Sequence, residues 1–308
     1  MAEDDRELVM NWFQRRALDP KDRPFSLPRI ESPLRELQET RPDVTPGEAR
    51  LLSRGLAVRE LPVPAQNLID WVGGGDAHVF QTVGLLNFYQ LITYAGLAPT
   101  SRILEPGCGC GRNARYIAPL LDPKQGSYDG FDIEPEGIEW ANRTIGSVYA
   151  NCRFAHADIH NTNYNSEGKI DAGSYSFPYE EGAFDLVFLP SVFTHLTRDA
   201  FENYVQEIAR VLAPGGVLLS WNFLLNDETQ RLLEAGAGAL PFQPFGDGCW
   251  VHDPDNPSAA IAFDERWVLG LLEDSGLRTQ FILRGAWAGG RPDGIVDAQD
   301  RLLATRAL

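Results

Sequence analysis

Hydrophobic and polar residues alternate with two different periods along the chain beyond residue 72, and this pattern predicts an α/β fold. Apolar side chains at helical spacing over 80–95 predict a first helix, and short apolar runs typical of buried strands then alternate with further helical segments. Such alternation indicates a mostly parallel sheet with helices on both faces. The predicted strands are 101–105, 127–133, 152–157, 184–189, 216–223, 277–284 and 297–306, and the later helices are 112–121, 135–145, 199–212 and 264–275.

Two longer segments, 159–181 and 224–262, interrupt this alternation. In an open α/β sheet the ligand lies beyond the carboxyl ends of the strands, where such insertions can cover it. We therefore expect the 224–262 insertion to enclose the substrate with its aromatic rings, and Asn222, just past the predicted fifth strand, to face the pocket. The side chains of the insertion on which this expectation rests are Phe242, Phe245, Trp250 and His252.

The first part of the chain differs in composition from the rest, because residues 1–70 are rich in proline and charge. We expect a helical arm there, with short helices around 7–17 and 47–56, followed by a single domain over 71–308. A partly disordered leader explains the same composition equally well.

The charge and the cysteines narrow the classes of partner. The chain has 43 acidic and 27 basic side chains and a net charge of -16, which would repel phosphate backbones and anionic lipid headgroups. We therefore expect neither nucleic acid nor a membrane as a partner.

No signal segment or membrane-spanning run is evident, which predicts a cytoplasmic protein. The four cysteines are too scattered for a disulfide framework and lack further metal-ligand spacing, so we expect no metal, while a homodimer stays open.

The most informative stretch follows the first predicted strand and reads Glu-Pro-Gly-Cys-Gly-Cys-Gly over 105–111. Glycine lets a ligand approach the backbone closely and tolerates positive φ. The helix predicted after the turn offers unpaired N–H groups and the positive end of its dipole, which suit a carboxylate or a phosphate. The pattern therefore predicts a cofactor loop.

Acidic residues follow the next two strands. Asp132 ends the second strand, where an acid can accept hydrogen bonds from ribose hydroxyls, and Asp158 ends the third, where a carboxylate can accept from an adenine amino group. Because aspartate is also favoured at helix N-caps, each residue taken singly could instead cap a following helix. Their joint placement with the glycine turn favours nucleotide binding.

The ordered set of the glycine turn, Asp132, Asp158 and the Leu-Ala-Pro-Gly-Gly run over 212–216 resembles the class I S-adenosylmethionine-dependent methyltransferases from about residue 72 onward. The resemblance implies a Rossmann-like, seven-stranded, mostly parallel sheet with an antiparallel last strand, and S-adenosylmethionine as the cofactor. Glu105 with Pro106 stands where aspartate and a small or apolar residue are frequent, so the carboxylate is kept.

The resemblance also assigns cofactor-binding residues by position. Asp132 and Ile133 would contact the ribose and adenine, Asp158 and Ile159 would read the adenine, and Pro190 and Ser191 would line the methyl region. The loop around the methionyl part would be formed by Glu105, Gly107, Cys108, Gly109 and Gly111.

Histidine is the candidate for proton removal. His195 stands at the exit of the fourth strand, near the expected methyl group, and His252 lies in the insertion; folding could pair the two. A structural hydrogen bond to a loop carbonyl is at least as good an explanation for His195.

We expect methylation of a small molecule such as a sugar, phenol or natural-product intermediate, with an oxygen acceptor preferred over nitrogen or carbon. A nicotinamide-dependent oxidoreductase, transfer of another group from a sulfonium donor, and a non-catalytic binding module are the alternatives.

Overall fold

The computed structural model describes residues 61–246, 248–290 and 298–308, so the short helices predicted within 1–60 lie outside the described residues. The described chain divides into two compact units. The first unit comprises 61–100, Cys108–Tyr128 and Glu136–Phe154. The second unit comprises Ser101–Gly107, Asp129–Pro135 and the described part of Ala155–Leu308.

A seven-stranded sheet is the main architectural element, with strand order β10-β11-β5-β4-β1-β2-β3. β4 pairs in parallel with both β1 and β5, whereas β11 is antiparallel to both β5 and β10. This order confirms the Rossmann-like fold with an antiparallel last strand. The strands are β1 (Arg102–Pro106), β2 (Ser127–Asp132), β3 (Cys152–His156), β4 (Phe184–Leu189), β5 (Leu212–Asn222), β10 (Leu277–Leu283) and β11 (Asp300–Arg306).

The helices largely follow the predicted periodicity. Asp76 caps the second helix by accepting from the N–H groups of His78 and Val79, and Gly96 ends that helix with a φ of 69°. The helix predicted over 112–121 is wrong in length, because the proline at 119 lacks a backbone N–H and regular helix stops before it. The helices outside the insertion are α1 (Gln66–Trp71), α2 (Ala77–Ala95), α3 (Ala114–Ile117), α4 (Pro135–Ala141, continued by a π-helix over Asn142–Gly146), α5 (Arg198–Val211) and α7 (Glu265–Asp274).

The 224–262 insertion has a fold of its own that the sequence pattern did not reveal. It forms a four-stranded sheet in the order β6-β9-β8-β7 and one amphipathic helix, α6. Asn226 and Thr229 begin this helix with a reciprocal capping box. The elements are β6 (Leu224–Leu225), α6 (Asp227–Glu234), β7 (Gln243–Gly246), β8 (Cys249–Val251) and β9 (Ile261–Asp264).

The core of the second unit fixes the chain that leaves β4. The ring of Phe193, just after β4, stacks on Phe201 of α5 with centroids 4.1 Å apart, and both side chains are buried. Phe201 also packs edge-on against Phe263 of β9, with 5.1 Å between centroids. Because His195 lies in the same 3-10 turn as Phe193, this packing holds the histidine at the carboxyl end of the sheet.

Candidate active site

Gly107 turns the chain directly after β1. Its N–H donates to the carbonyl of Phe131 at 2.8 Å, and its φ is 75°. A Cβ at this position would collide with the side chain of Val192, so both backbone conformation and space require glycine. Glu105, two residues earlier at the end of β1, is 1% exposed. The second unit thus has a bare backbone turn beside a buried carboxylate.

The rest of the glycine turn belongs to the first unit. Gly109 and Gly111 have φ values of 53° and 79°. A Cβ on Gly109 would collide with Val72, and one on Gly111 would lie 2.7 Å from Cδ1 of Ile145. Cys108 is buried. Packing within the unit therefore requires these glycines, and their assignment to the cofactor rests on the family resemblance.

Asp132 is a buried carboxylate at the end of β2. It is 7% exposed, and its Oδ1 accepts from the N–H of Glu134 at 2.9 Å in the turn that leads into α4. This oxygen therefore stabilises the turn before the helix, much as the capping alternative predicts for Asp132. Ile133 is partly buried against the core of the second unit.

Asp158 does not cap a helix, because the chain after β3 runs into a loop in which Ile159 bridges Ile170. The capping alternative is therefore wrong for Asp158. Its Oδ1 accepts from Nδ2 of Asn165 at 3.3 Å, and its Oδ2 lies 3.9 Å from Nζ of Lys169. Ile159 is buried in the core.

Pro190 and Ser191 follow β4, and Ser191 has an unusual backbone. Its φ of 62° is the one positive value for a non-glycine residue in the described ranges. Its Oγ donates to Oε1 of Gln299 at 2.9 Å, and its carbonyl accepts from Oγ1 of Thr194 at 3.0 Å. Non-glycine residues held in this region are typical of functional sites, where the surrounding structure maintains the strain.

His195 is held by the insertion. Its Nδ1 lies 2.9 Å from the carbonyl oxygen of Ser258, in the 3-10 turn Pro257–Ala259. Because a carbonyl only accepts, the proton of the neutral ring is assigned to Nδ1, and Nε2 carries the lone pair. Burial lowers the pKa of His195 below its usual value of 6.5, against the hydrogen bonds to the backbone of Ser258 and Ala259, which raise it. The ring is therefore neutral at physiological pH.

The loop after β3 supplies a residue near His195 that sequence reasoning missed. Tyr164 places its hydroxyl 3.5 Å from Nε2 of His195, and the two rings meet edge-to-face with centroids 5.1 Å apart. The only sequence signal was the asparagine-rich turn over 161–165, which indicates a compact polar loop but not its neighbour.

His252 is not paired with His195. Its Nδ1 lies 3.0 Å from the carbonyl of Pro241, and no hydrogen bond joins the two histidines in the described part of the chain.

Asn222 ends β5 and is 3% exposed. Its Nδ2 donates to Oγ of Ser220 at 3.0 Å, while its Oδ1 is buried without a partner among the described residues.

The three aromatic residues predicted to wall one pocket have different surroundings. Phe242 is buried in a small cluster with Phe223 and Trp287, with centroid distances of 5.3 Å to each. Trp250 packs partly buried against the same cluster, whereas Phe245 on β7 is 46% exposed. Phe242 therefore stabilises the insertion itself.

The described residues also bear on a membrane and on a metal. No described helix has the length and apolar character needed to cross a membrane. Within the same ranges, no group of His, Cys, Asp and Glu is arranged to hold a metal ion.

Comparisons with known proteins identify the domain. Residues 103–216 match the family described as "Methyltransferase domain". The fatty-acid O-methyltransferase of Mycolicibacterium smegmatis is 30% identical over 139 residues, which cover 44% of this chain and 43% of that protein. The tRNA N(3)-cytidine methyltransferase METTL2 of Bos taurus is 27% identical over 165 residues, covering 52% of this chain and 39% of that protein. The matches thus span about two-fifths of the length of these relatives.

A solved structure shows the same fold at low identity. The [4+2]-cyclase SpnF aligns with a TM-score of 0.50 at 14% identity, over 74% of this chain and 83% of that one. That likeness concerns the fold alone, and the fold does not fix the reaction. The matched residues, 103–216, extend from β1 into β5 and include the glycine turn. The chain thus contains a methyltransferase domain over residues 103–216, carried on a sheet with the strand order of the Rossmann-like methyltransferase fold.

Proposed function

We propose that this protein transfers a methyl group from S-adenosylmethionine to a hydroxyl oxygen of a small molecule, with His195 as the general base. The observation that carries the proposal is the state of the His195 ring. Its Nδ1 is bonded to the Ser258 carbonyl, which leaves Nε2 as its basic atom, and burial keeps the pKa of the ring low enough for it to be neutral.

The residues of the second unit suit the cofactor. Gly107 turns the chain at the end of β1 with a φ of 75°, next to the side chain of Val192. Glu105 and Asp132 are buried carboxylates at the ends of β1 and β2, and carboxylates accept hydrogen bonds from ammonium and hydroxyl groups of the kind that the cofactor carries. Asp158, Pro190 and the strained Ser191 complete the set that would hold it. When bound, the cofactor supplies an electrophilic methyl group.

The chain must then orient the acceptor and take its proton. With the cofactor in place, these residues would hold the acceptor hydroxyl toward the methyl group, and Nε2 of His195 would take the hydroxyl proton. Orientation of the reacting groups alone can contribute about 7–11 kcal/mol to such a reaction. We propose that the 224–262 insertion covers the acceptor, because its Ser258 carbonyl holds the base.

The choice of a small-molecule oxygen acceptor is supported by the similarity to a fatty-acid O-methyltransferase and by the net charge of -16, which disfavours nucleic acid. Because another relative is a tRNA methyltransferase, RNA is the alternative acceptor that the experiment has to include. Methylation at nitrogen or carbon, and binding without catalysis, are further alternatives. We also propose a cytoplasmic location.

The test is incubation of the full-length protein with isotopically labelled S-adenosylmethionine and pools of fatty acids, phenols and tRNA. Mass analysis of the products should find one added methyl group on an oxygen of a small molecule, together with S-adenosylhomocysteine. Label in tRNA would contradict the choice of acceptor, and no transfer to any pool by protein that binds the cofactor would favour a binding module.

The matched variant is His195→Gln, which keeps a polar side chain near the Ser258 carbonyl. Loss of a general base typically costs about 100- to 10,000-fold in rate. An unchanged rate would exclude His195 as the base while leaving methyl transfer intact.

A further inference from the structure

His195 is enclosed by two loops that are also bound to each other. One is the 161–165 turn, and the other is the insertion segment around Ser258. Asn256 donates from Nδ2 to Oδ1 of Asn163 at 2.8 Å and accepts from Oγ1 of Thr162 at 3.2 Å. The position of one loop therefore fixes the other around the histidine.

Asn161 makes the 161–165 turn a support for His195. Its Nδ2 donates to the backbone carbonyl of His195 at 3.0 Å. Its Oδ1 accepts from the N–H groups of Asn163 and Tyr164 at 3.0 Å and 3.1 Å. One side chain thus binds the backbone of the histidine and closes the turn that presents the tyrosine.

Tyr164 is placed at the one atom of His195 that can accept a proton. Nδ1 is occupied by Ser258, and the Tyr164 hydroxyl lies 3.5 Å from Nε2. That separation is at the outer limit of a hydrogen bond, so the edge-to-face ring packing contributes to holding the tyrosine in place. Catalytic hydrogen bonds are commonly long without substrate and shorten when it binds.

We propose that Tyr164 contacts the acceptor hydroxyl and relays its proton to His195. This inference rests on the proposed function, since it names the group through which the base acts. The Tyr164 hydroxyl donates its proton to Nε2 while its oxygen accepts the proton of the acceptor hydroxyl. The acceptor oxygen forms the bond to the methyl carbon, and the carbon–sulfur electron pair stays on sulfur. Tyrosine ends neutral, and the imidazolium holds the released proton.

The state of Tyr164 suits a relay that stays protonated at rest. Burial raises the pKa of Tyr164 above its usual value of 10, the Asn163 side chain lowers it, and the negative charge of Asp132 raises it. Asp132 is thus a charged group that acts on this pair. A neutral phenol bridges a hydroxyl and an imidazole without carrying a buried charge.

The first test observes the tyrosine–histidine contact without any turnover. In ligand-free protein the ¹⁵N resonance of His195 Nε2 should have the position of a lone-pair nitrogen that accepts a hydrogen bond. Tyr164→Phe should move it toward the position of a free lone-pair nitrogen. Tyr175→Phe is the matched control, because Tyr175 is a half-buried tyrosine that packs on Phe131, away from the histidine contacts. An Nε2 resonance unaffected by Tyr164→Phe would overturn the proposal.

The second test is a double-mutant cycle on methyl transfer. Tyr164→Phe should lower kcat by about 10- to 100-fold, within or just below the range for loss of acid–base catalysis. In a His195→Gln background the same change should have little further effect, because both residues act in one proton path. Multiplicative losses, or an unaffected kcat in Tyr164→Phe, would overturn the relay while leaving methyl transfer established. Absence of transfer by the unmutated protein would instead refute the proposed function.

Discussion

Nδ1 of His195 lies 2.9 Å from the carbonyl oxygen of Ser258, so a residue of the insertion determines which nitrogen of the ring is basic. The bond joins the turn after β4 to the chain between β8 and β9. This hydrogen bond to a loop carbonyl is the structural role that the sequence analysis considered for His195. It also leaves Nε2 as the nitrogen that accepts a proton. The two explanations are therefore compatible.

The pH dependence of methyl transfer follows from this arrangement. Burial lowers the pKa of His195 below 6.5, so the neutral base persists as the pH falls through 6.5 and is lost only below its folded-state pKa. We expect kcat to fall toward acidic pH with a midpoint below pH 6.5. The measurement is a pH–rate profile of the unmutated protein and of His195→Gln. A profile that falls with a midpoint above pH 6.5, or the same acidic limb in both proteins, would contradict the assignment.

The backbone at Ser191 predicts an unusual ranking of two substitutions. Ser191→Ala and Ser191→Gly both remove the bond to Gln299, but only glycine relieves the positive φ of 62°. An L-residue in this region costs about 1–2 kcal/mol, and glycine costs about 0.5–1 kcal/mol in chain entropy. We expect Ser191→Gly to be more stable than Ser191→Ala by about 0.5–1 kcal/mol in urea unfolding. Greater stability of the alanine variant would show that the residue is not strained.

Gly107 allows a separate test of space and conformation. Gly107→Ala introduces both a Cβ that collides with Val192 and a strained φ of 75°. We expect a loss of about 2–5 kcal/mol in the free energy of unfolding, the sum of overpacking and left-handed strain. Adding Val192→Ala should recover the overpacking part but not the strain. No recovery in the double variant, measured against Val192→Ala alone, would exclude the collision as a cause.

Asn222 carries a buried amide oxygen without a partner among the described residues, and its amide nitrogen is bonded to Ser220. An unsatisfied buried group costs about 1–3 kcal/mol, whereas replacing both members of a pair by apolar groups can be neutral or stabilising. The double variant Ser220→Ala with Asn222→Leu should therefore unfold at an equal or higher urea concentration than the unmutated protein. A clear loss of stability would show that the amide is satisfied in solution. Loss of acceptor binding in the stable variant would support the expected role of Asn222 at the pocket.

Much of the sheet could be predicted because its strands are short apolar runs that belong to one buried core. The strand at Phe184–Leu189 has the predicted bounds, whereas β5 begins at Leu212, before the predicted 216. The Pro-Gly-Gly run there is typical of a turn, yet Leu212 pairs with Phe184 of β4. Leu186 then pairs with Val217, so residues 213–216 bulge out of the ladder, with Gly215 at a φ of 76°. The turn preference of this run is therefore kept as a bulge within the strand.

The site was predictable only where chemistry is local in sequence. Glycine with positive φ at 107 and a buried carboxylate at Asp132 follow from strand–turn patterns. The contacts of Tyr164 and Ser258 with His195 were missed because they depend on loops that meet the histidine from distant parts of the chain. The sheet β6-β9-β8-β7 was missed because its strands have two to four residues and include proline and glycine.

The most direct measurement is calorimetric titration of the full-length protein with S-adenosylhomocysteine and, separately, with NAD. We expect binding of S-adenosylhomocysteine alone, and a loss of about 10-fold or more in Asp132→Ala, because hydrogen bonds to a charged group contribute about 1.5–3 kcal/mol. Asp185→Ala is the control. This carboxylate pairs with Arg102 at 2.6 Å, and both residues lie near the beginnings of their strands, β4 and β1, away from the carboxyl ends where the cofactor is expected. Equal affinities in the two variants would remove Asp132 from the site. Binding of NAD without S-adenosylhomocysteine would contradict the central claim that this domain uses the sulfonium cofactor.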